Sequence, residues 1–129
     1  MNANYKPRNY NSVSPYLIVN GAETTIQFLI NAFDAQELRR FPDESGRLMH
    51  AEVRLNDSVI MLADAVEAWP AIPAHVHIYV PDADAAYQRA LAAGATSVQE
   101  PAQRSEDDDR RGGVKDAGGT TWWIATQVS

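Results

Sequence analysis

Two stretches, Tyr16-Leu-Ile-Val-Asn-Gly-Ala22 and His77-Ile-Tyr-Val-Pro-Asp-Ala83, decide the fold, because they are two versions of one pattern. Each is an apolar run broken at a turn and followed by helical periodicity, over Glu23 to Phe33 in the first case and Asp84 to Ala93 in the second. Val19 matches Val80, Ala22 matches Ala83, Ile26 matches Tyr87 and Ile30 matches Leu91, an offset of about 61 residues. A repeat this long in a short chain implies two copies of one supersecondary unit packed around a shared core. The concave surface between the copies is then the natural place for a ligand.

Working outward, residues 13–20 read as a strand with Leu17 and Val19 on one face and Tyr16, Ile18 and Asn20 on the other. Asn20-Gly21 breaks it. Ala22, Ile26, Leu29, Ile30 and Phe33 then form one helical stripe, with Glu23 near the positive helix start. A strand over 36–42 ends at Pro42, and Asp43-Glu44-Ser45-Gly46 is a hairpin turn. Residues 47–55 alternate: Met49, Ala51, Val53 and Leu55 face one way, His50, Glu52 and Arg54 the other. After the Asn56-Asp57 turn, Val59 to Ala63 is a strand apolar on both faces. The first unit is therefore β-α-β-β-β.

A segment with Trp69, Pro70 and Pro73 links it to the second copy. There Val76, Ile78 and Val80 share one face and His75, His77 and Tyr79 the other. Pro81-Asp82 starts a helix with the stripe Ala83, Ala86, Tyr87, Ala90 and Leu91, and Gly94 ends it. Strands follow over 97–103, 112–115 and 120–126. The charged run Ser105 to Arg111 is expected to be a solvated hairpin tip, since it lacks the ligand spacing of an EF-hand. One domain over 1–129 is expected, with unit one about 13–65, a linker over 66–73 and unit two about 74–127.

Composition narrows the function. The chain has 129 residues, 45% of them hydrophobic and 22% charged, which suits one globular domain. Its net charge of -6 argues against nucleic acid, which needs a basic surface. The absence of cysteine removes disulfides, thiolate metal sites and cysteine nucleophiles. No apolar run has the roughly 18 residues of a membrane span. Residues 1–11 are polar, unlike a secretory leader, so a cytoplasmic location is expected.

The helices must bury their stripes on one face of each sheet. The opposite strand phase carries Tyr16, His50, Glu52, Met61, His75, His77, Tyr79 and Trp123. If two curved sheets face each other, these eight line one apolar, aromatic cavity with a few polar groups, the usual makeup of a small-molecule pocket. Trp122 and Trp123 are strand neighbours, so only one of them can enter it. His75 with His77, and His50 with Glu52, are same-face pairs whose spacing is compatible with metal ligation, provided their strands are adjacent. Nucleophile-elbow, Walker and dinucleotide fingerprints are absent.

The duplicated unit resembles the glyoxalase, bleomycin-resistance and extradiol-dioxygenase superfamily, the vicinal oxygen chelate fold, and locally its PhnB-like branch. The supporting segments are Tyr16 to Ala22, Ala32 to Phe41, His50 to Asp64, Ala90 to Ala95 and Thr121 to Thr126. The resemblance implies an α+β fold of two tandem βαβββ units forming curved mixed sheets around a cavity. The metal enzymes of that superfamily take one ligand from each of four strands, positions that fall here on Ser14, Met61, His75 and Trp123. Of these only His75 is an ordinary ligand for a divalent ion, so no metal and no cofactor are expected. Relatives carry Asp-Pro-Phe-Gly-Asn before the last strand; Asp116-Ala117-Gly118-Gly119-Thr120 is expected to form a looser turn.

The resemblance implies a metal-free small-molecule-binding protein that sequesters an aromatic or cationic compound. Trp123, Tyr16 and Tyr79 would stack on it, Glu52 would favour positive charge, and His50, His75 and His77 would supply hydrogen bonds. A homodimer whose cavities include residues of both chains is implied as well. The alternative is a lyase, isomerase or dioxygenase-type enzyme for a vicinal-oxygen substrate. It would hold a divalent metal on a shifted set of His75, His77, His50 and Glu52, or work without metal through a His or Glu52 as general base.

Overall fold

A computed structural model describes residues 3–128. The first unit runs β1 (Tyr16–Val19), α1 (Ala22–Phe33), β2 (Gln36–Pro42), β3 (Leu48–Leu55), β4 (Ser58–Asp64). The second repeats the order as β5 (Ala74–Tyr79), α2 (Ala83–Ala92), β6 (Thr96–Ala102), β7 (Arg110–Lys115), β8 (Thr120–Thr126). Each unit forms a four-stranded mixed sheet, in the orders β1-β4-β3-β2 and β5-β8-β7-β6. The first strand of each unit lies parallel to the last, and the other pairs are antiparallel. This is the α+β architecture of two βαβββ units, and neither sheet closes on itself. Among the described residues no helix is long and apolar enough to cross a membrane.

Local chemistry sets the element ends. Gly21 has φ 80°, and α1 has no capping side chain of its own. Asp64, at the end of β4, takes that role: its Oδ1 accepts from Ala22 N at 2.7 Å and its Oδ2 from Leu48 N at 2.8 Å. In α2, Asp82 caps in the ordinary way, accepting from Ala85 N at 3.1 Å. Gly94 follows the helix at φ 110°, the left-handed region that suits glycine. The apolar sides of both helices and both sheets meet in one core containing Val19, Ile26, Leu29, Val53 and Leu62 of the first unit with Tyr87, Ala90, Val114, Trp122 and Ile124 of the second. Phe33 and Trp122 join the halves, with ring centroids 5.7 Å apart.

The structure corrects four expectations. β1 begins at Tyr16 rather than 13, because the preceding arm satisfies β4 without strand pairing: Val59 N donates to Asn11 Oδ1 at 3.0 Å and Met61 N to Pro15 O at 2.9 Å. Met49 does not share the face of Ala51. Phe41 pairs with His50 and Pro42 with Leu48, so Met49 is an extra residue in a bulge. Leu48 takes the buried face and Met49 is exposed. β7 begins at Arg110, so the charged run is not all hairpin tip. The turn at 116–119 is tight, because buried Asp116 accepts from Gly118 N (2.9 Å), Thr120 N (3.1 Å) and Trp122 Nε1 (2.9 Å).

Candidate functional site

On the side of the first sheet away from the helices, one row runs Tyr16, Met61, Glu52, Arg39 across β1, β4, β3 and β2. Glu52 is only 3% exposed. Its Oε1 accepts from the Tyr10 hydroxyl at 2.5 Å and from Arg39 Nε at 2.7 Å, and its Oε2 lies 2.7 Å from His50 Nε2. Burial alone would raise this carboxyl, but the bonds from Arg39, Tyr10 and His50 outweigh it and hold the pKa at about 2. Burial, helped by the neighbouring Glu52, raises the Tyr10 phenol and keeps it protonated. The Tyr10 ring also carries the Arg39 and Arg54 guanidinium groups at 5.7 and 5.8 Å. His50 Nδ1 lies 2.7 Å from the Tyr16 hydroxyl, and the Phe41 ring packs on the same imidazole.

Beside this network lies a cavity of about 520 Å³. Ile18, Met49, Ala63 and Val66 give it apolar walls, Tyr16 and Trp69 are its aromatic sides, and Arg47 and Asp64 are its polar groups. The linker builds part of it. Val66 and Trp69 pair with each other through two backbone bonds of 3.0 Å, and Ala65 N and Ile72 N donate to Val19 O and Ile18 O. Trp69 is thereby held over the sheet while 70% exposed.

The second sheet carries the other cluster. His77 stands beside Trp123 in the β5–β8 register, and Trp123 faces Gly113 on β7. A Cβ on Gly113 would fall 2.7 Å from the Trp123 ring, so the glycine lets the indole lie against the strand. Trp123 Nε1 donates to His75 Nδ1 at 3.1 Å, with the two rings 8° from parallel. Arg111 Nε donates to His77 Nε2 at 3.3 Å, and Tyr79 packs edge-on against the same ring. Burial, then the Arg111 charge, lower the pKa of His77. The Tyr79 hydroxyl donates to Asp109 at 2.7 Å, and Arg111 holds Asp109 from the other side at 3.2 Å. Trp122 is fully buried, so the alternation of the two tryptophans holds.

The eight expected residues thus form two groups within one chain: Tyr16, His50, Glu52 and Met61 on the first sheet, His75, His77, Tyr79 and Trp123 on the second. Of the eight, only Tyr16 lines the larger cavity; His77 and Tyr79 line a smaller one of about 260 Å³ against the β3–β4 turn. Alternation reports the face a side chain takes, and the two faces belong to separate sheets. The shifted metal set fails its own condition, since β3 and β5 are not neighbours. Among the described residues no group of three or more His, Asp or Glu converges. Ser14 precedes β1 and accepts from Asn11, and His75 Nδ1 is spent on Trp123. The donor set does not fit a divalent ion. Glu52, matched by Arg39, offers no free charge to a cationic ligand.

Sequence reasoning missed Tyr10, Arg39, Phe41, Arg47 and Trp69. Arg39 and Phe41 alternate on β2 in phase with Glu52 and His50 on β3, a charge complement visible once the hairpin register is known. Tyr10 and Trp69 lie in irregular segments and carried no periodic mark.

The model of the Glyoxalase/Bleomycin resistance protein/Dioxygenase superfamily matches residues 10–124. An uncharacterized protein of Mycobacterium bovis is 38% identical over 91% of this chain and 84% of its own length. Among solved structures, TioX from Micromonospora sp. ML1 superposes with a TM-score of 0.77 at 22% identity, covering 92% of this chain and 99% of that one. The fosfomycin resistance protein FosX from Listeria monocytogenes gives 0.70 at 17% identity, covering 92% and 90%. With the duplicated unit, the paired mixed sheets and a family match across nearly the whole length, this chain belongs to the glyoxalase/bleomycin resistance protein/dioxygenase superfamily.

Proposed function

We propose that this chain is a metal-free small-molecule-binding protein of the PhnB-like branch that captures a planar, aromatic compound. The cavity of about 520 Å³ walled by Tyr16, Ile18, Met49, Val66 and Trp69 carries this reading. Its size and its apolar lining with few polar groups are those of a small-molecule site. Trp69 and Tyr16 supply stacking surfaces, each worth about 0.5–1.5 kcal/mol beyond burial. An aromatic ligand is favoured over a cationic one, because Arg39 neutralises Glu52 and the cavity's own charges, Arg47 and Asp64, balance. The family includes resistance proteins and dioxygenases by name, so membership leaves the chemistry to the site itself.

The protein is proposed to act as a homodimer, the open face of the second unit with His75, His77, Tyr79 and Trp123 closing over the first unit of a second copy. Fluorescence titration with neutral planar aromatics tests the binding reading. Saturable quenching in the parent protein, reduced in Trp69→Phe, is expected; a flat response across the series sinks it. Sedimentation tests the dimer, and a single species at monomer mass at about 10 µM, far above the Kd of a stable dimer, rejects it.

A further inference from the structure

We infer that Glu52 and His50 turn the Tyr16 hydroxyl into a dedicated hydrogen-bond acceptor at the cavity, which selects planar molecules ending in an aromatic or enolic O–H. The inference rests on the cavity reading above and names its ligand class. Glu52 is ionised and nearly fully buried, so toward His50 it can only accept. The imidazole nitrogen facing it, Nε2, therefore carries a hydrogen. In its neutral form the imidazole has a single N–H, which leaves Nδ1 as a bare lone pair. The group facing Nδ1 at 2.7 Å is the Tyr16 phenol, which must donate.

Its one hydrogen is thus committed, and Tyr16 Oη offers a bound molecule lone pairs alone. Arg39 and Tyr10, the other polar groups near Glu52, are spent on Oε1 and hold the carboxylate in place. Phe41, packed on His50, offers it no competing donor or acceptor. Donation toward His50 also makes Oη a better acceptor, because linked hydrogen bonds polarise one another. A ketone or ether meets it lone pair to lone pair, whereas a phenol or enol completes the chain. Tyr16 lines the cavity and is 49% exposed, which leaves this residue open to a bound molecule.

A matched pair of probes tests this: 2-naphthol and 2-methoxynaphthalene, titrated calorimetrically near neutral pH. Removing the hydroxyl hydrogen should weaken binding about 3- to 10-fold, although the ether is the more apolar compound. Tyr16→Phe should erase the preference, and His50→Phe should narrow it by freeing the Tyr16 hydrogen. Nitrogen NMR should find His50 protonated on Nε2 and bare on Nδ1. Equal or tighter binding of the ether, or a hydrogen on Nδ1, overturns the inference and leaves the cavity reading standing. Binding of neither compound removes the cavity reading, and this inference with it.

Discussion

Glu52 is the residue on which the first sheet's polar network turns, and its protonation sets an acid limit on stability. Its folded pKa of about 2 lies below the ordinary 4.5, so the folded state favours the charged form. That contribution is complete above about pH 4.5 and is lost as pH falls toward about 2; the shift corresponds to about 3 kcal/mol. Urea unfolding at about pH 6 and pH 3 should show roughly half of this loss or a little more in the parent protein and a flatter profile in Glu52→Gln. Unchanged stability at both values contradicts it. Asp116 invites a second test. Asp116→Ala strands the buried Trp122 Nε1 and two backbone N–H groups, at an expected cost of about 2–4 kcal/mol by urea unfolding. At this scale the sequence was readable where one strand's alternation decided the matter, as for Trp122 and Trp123. The roles of Asp116, Tyr10 and Arg39 were not readable, because each depends on a partner that only the folded turn or hairpin register brings near.

The elements were legible in proportion to their periodicity. Both helices stand where their apolar stripes place them, and Pro81-Asp82 marks the second start. Strand ends and registers were less legible, since local pairing overrides the pattern there. The bulge at Met49 moves one side chain from core to cavity, and the arm replaces strand pairing ahead of Tyr16. Gly113→Ala sets a methyl group 2.7 Å from the Trp123 ring, so the indole must leave β7 and its bond to His75. The expected result is a red-shifted tryptophan emission and a loss of about 1–3 kcal/mol, the usual cost of overpacking. A Gly113→Ala protein with parental emission would show that Trp123 does not lie on that strand.

At the scale of the molecule, the repeat made the architecture legible because both copies bury the same phases, but it was silent on how the two open faces relate. What joins the copies is the helix layer. The Phe33 ring meets Trp122 across the boundary, and Arg89 of α2 pairs with Asp34 at the end of α1 at 2.8 Å. Buried residues of both units share one core, so unfolding as one cooperative unit is the expected outcome. Heating or denaturant should give a single transition, with far-ultraviolet dichroism and tryptophan emission coinciding. Phe33→Ala removes a buried ring from the first unit and leaves a cavity against Trp122 in the second, at about 3–5 kcal/mol. In a shared core that loss shifts both signals together. If the emission of Trp122 and Trp123 kept its parental midpoint while dichroism showed an early partial transition, the units would be independent and the common core would be refuted.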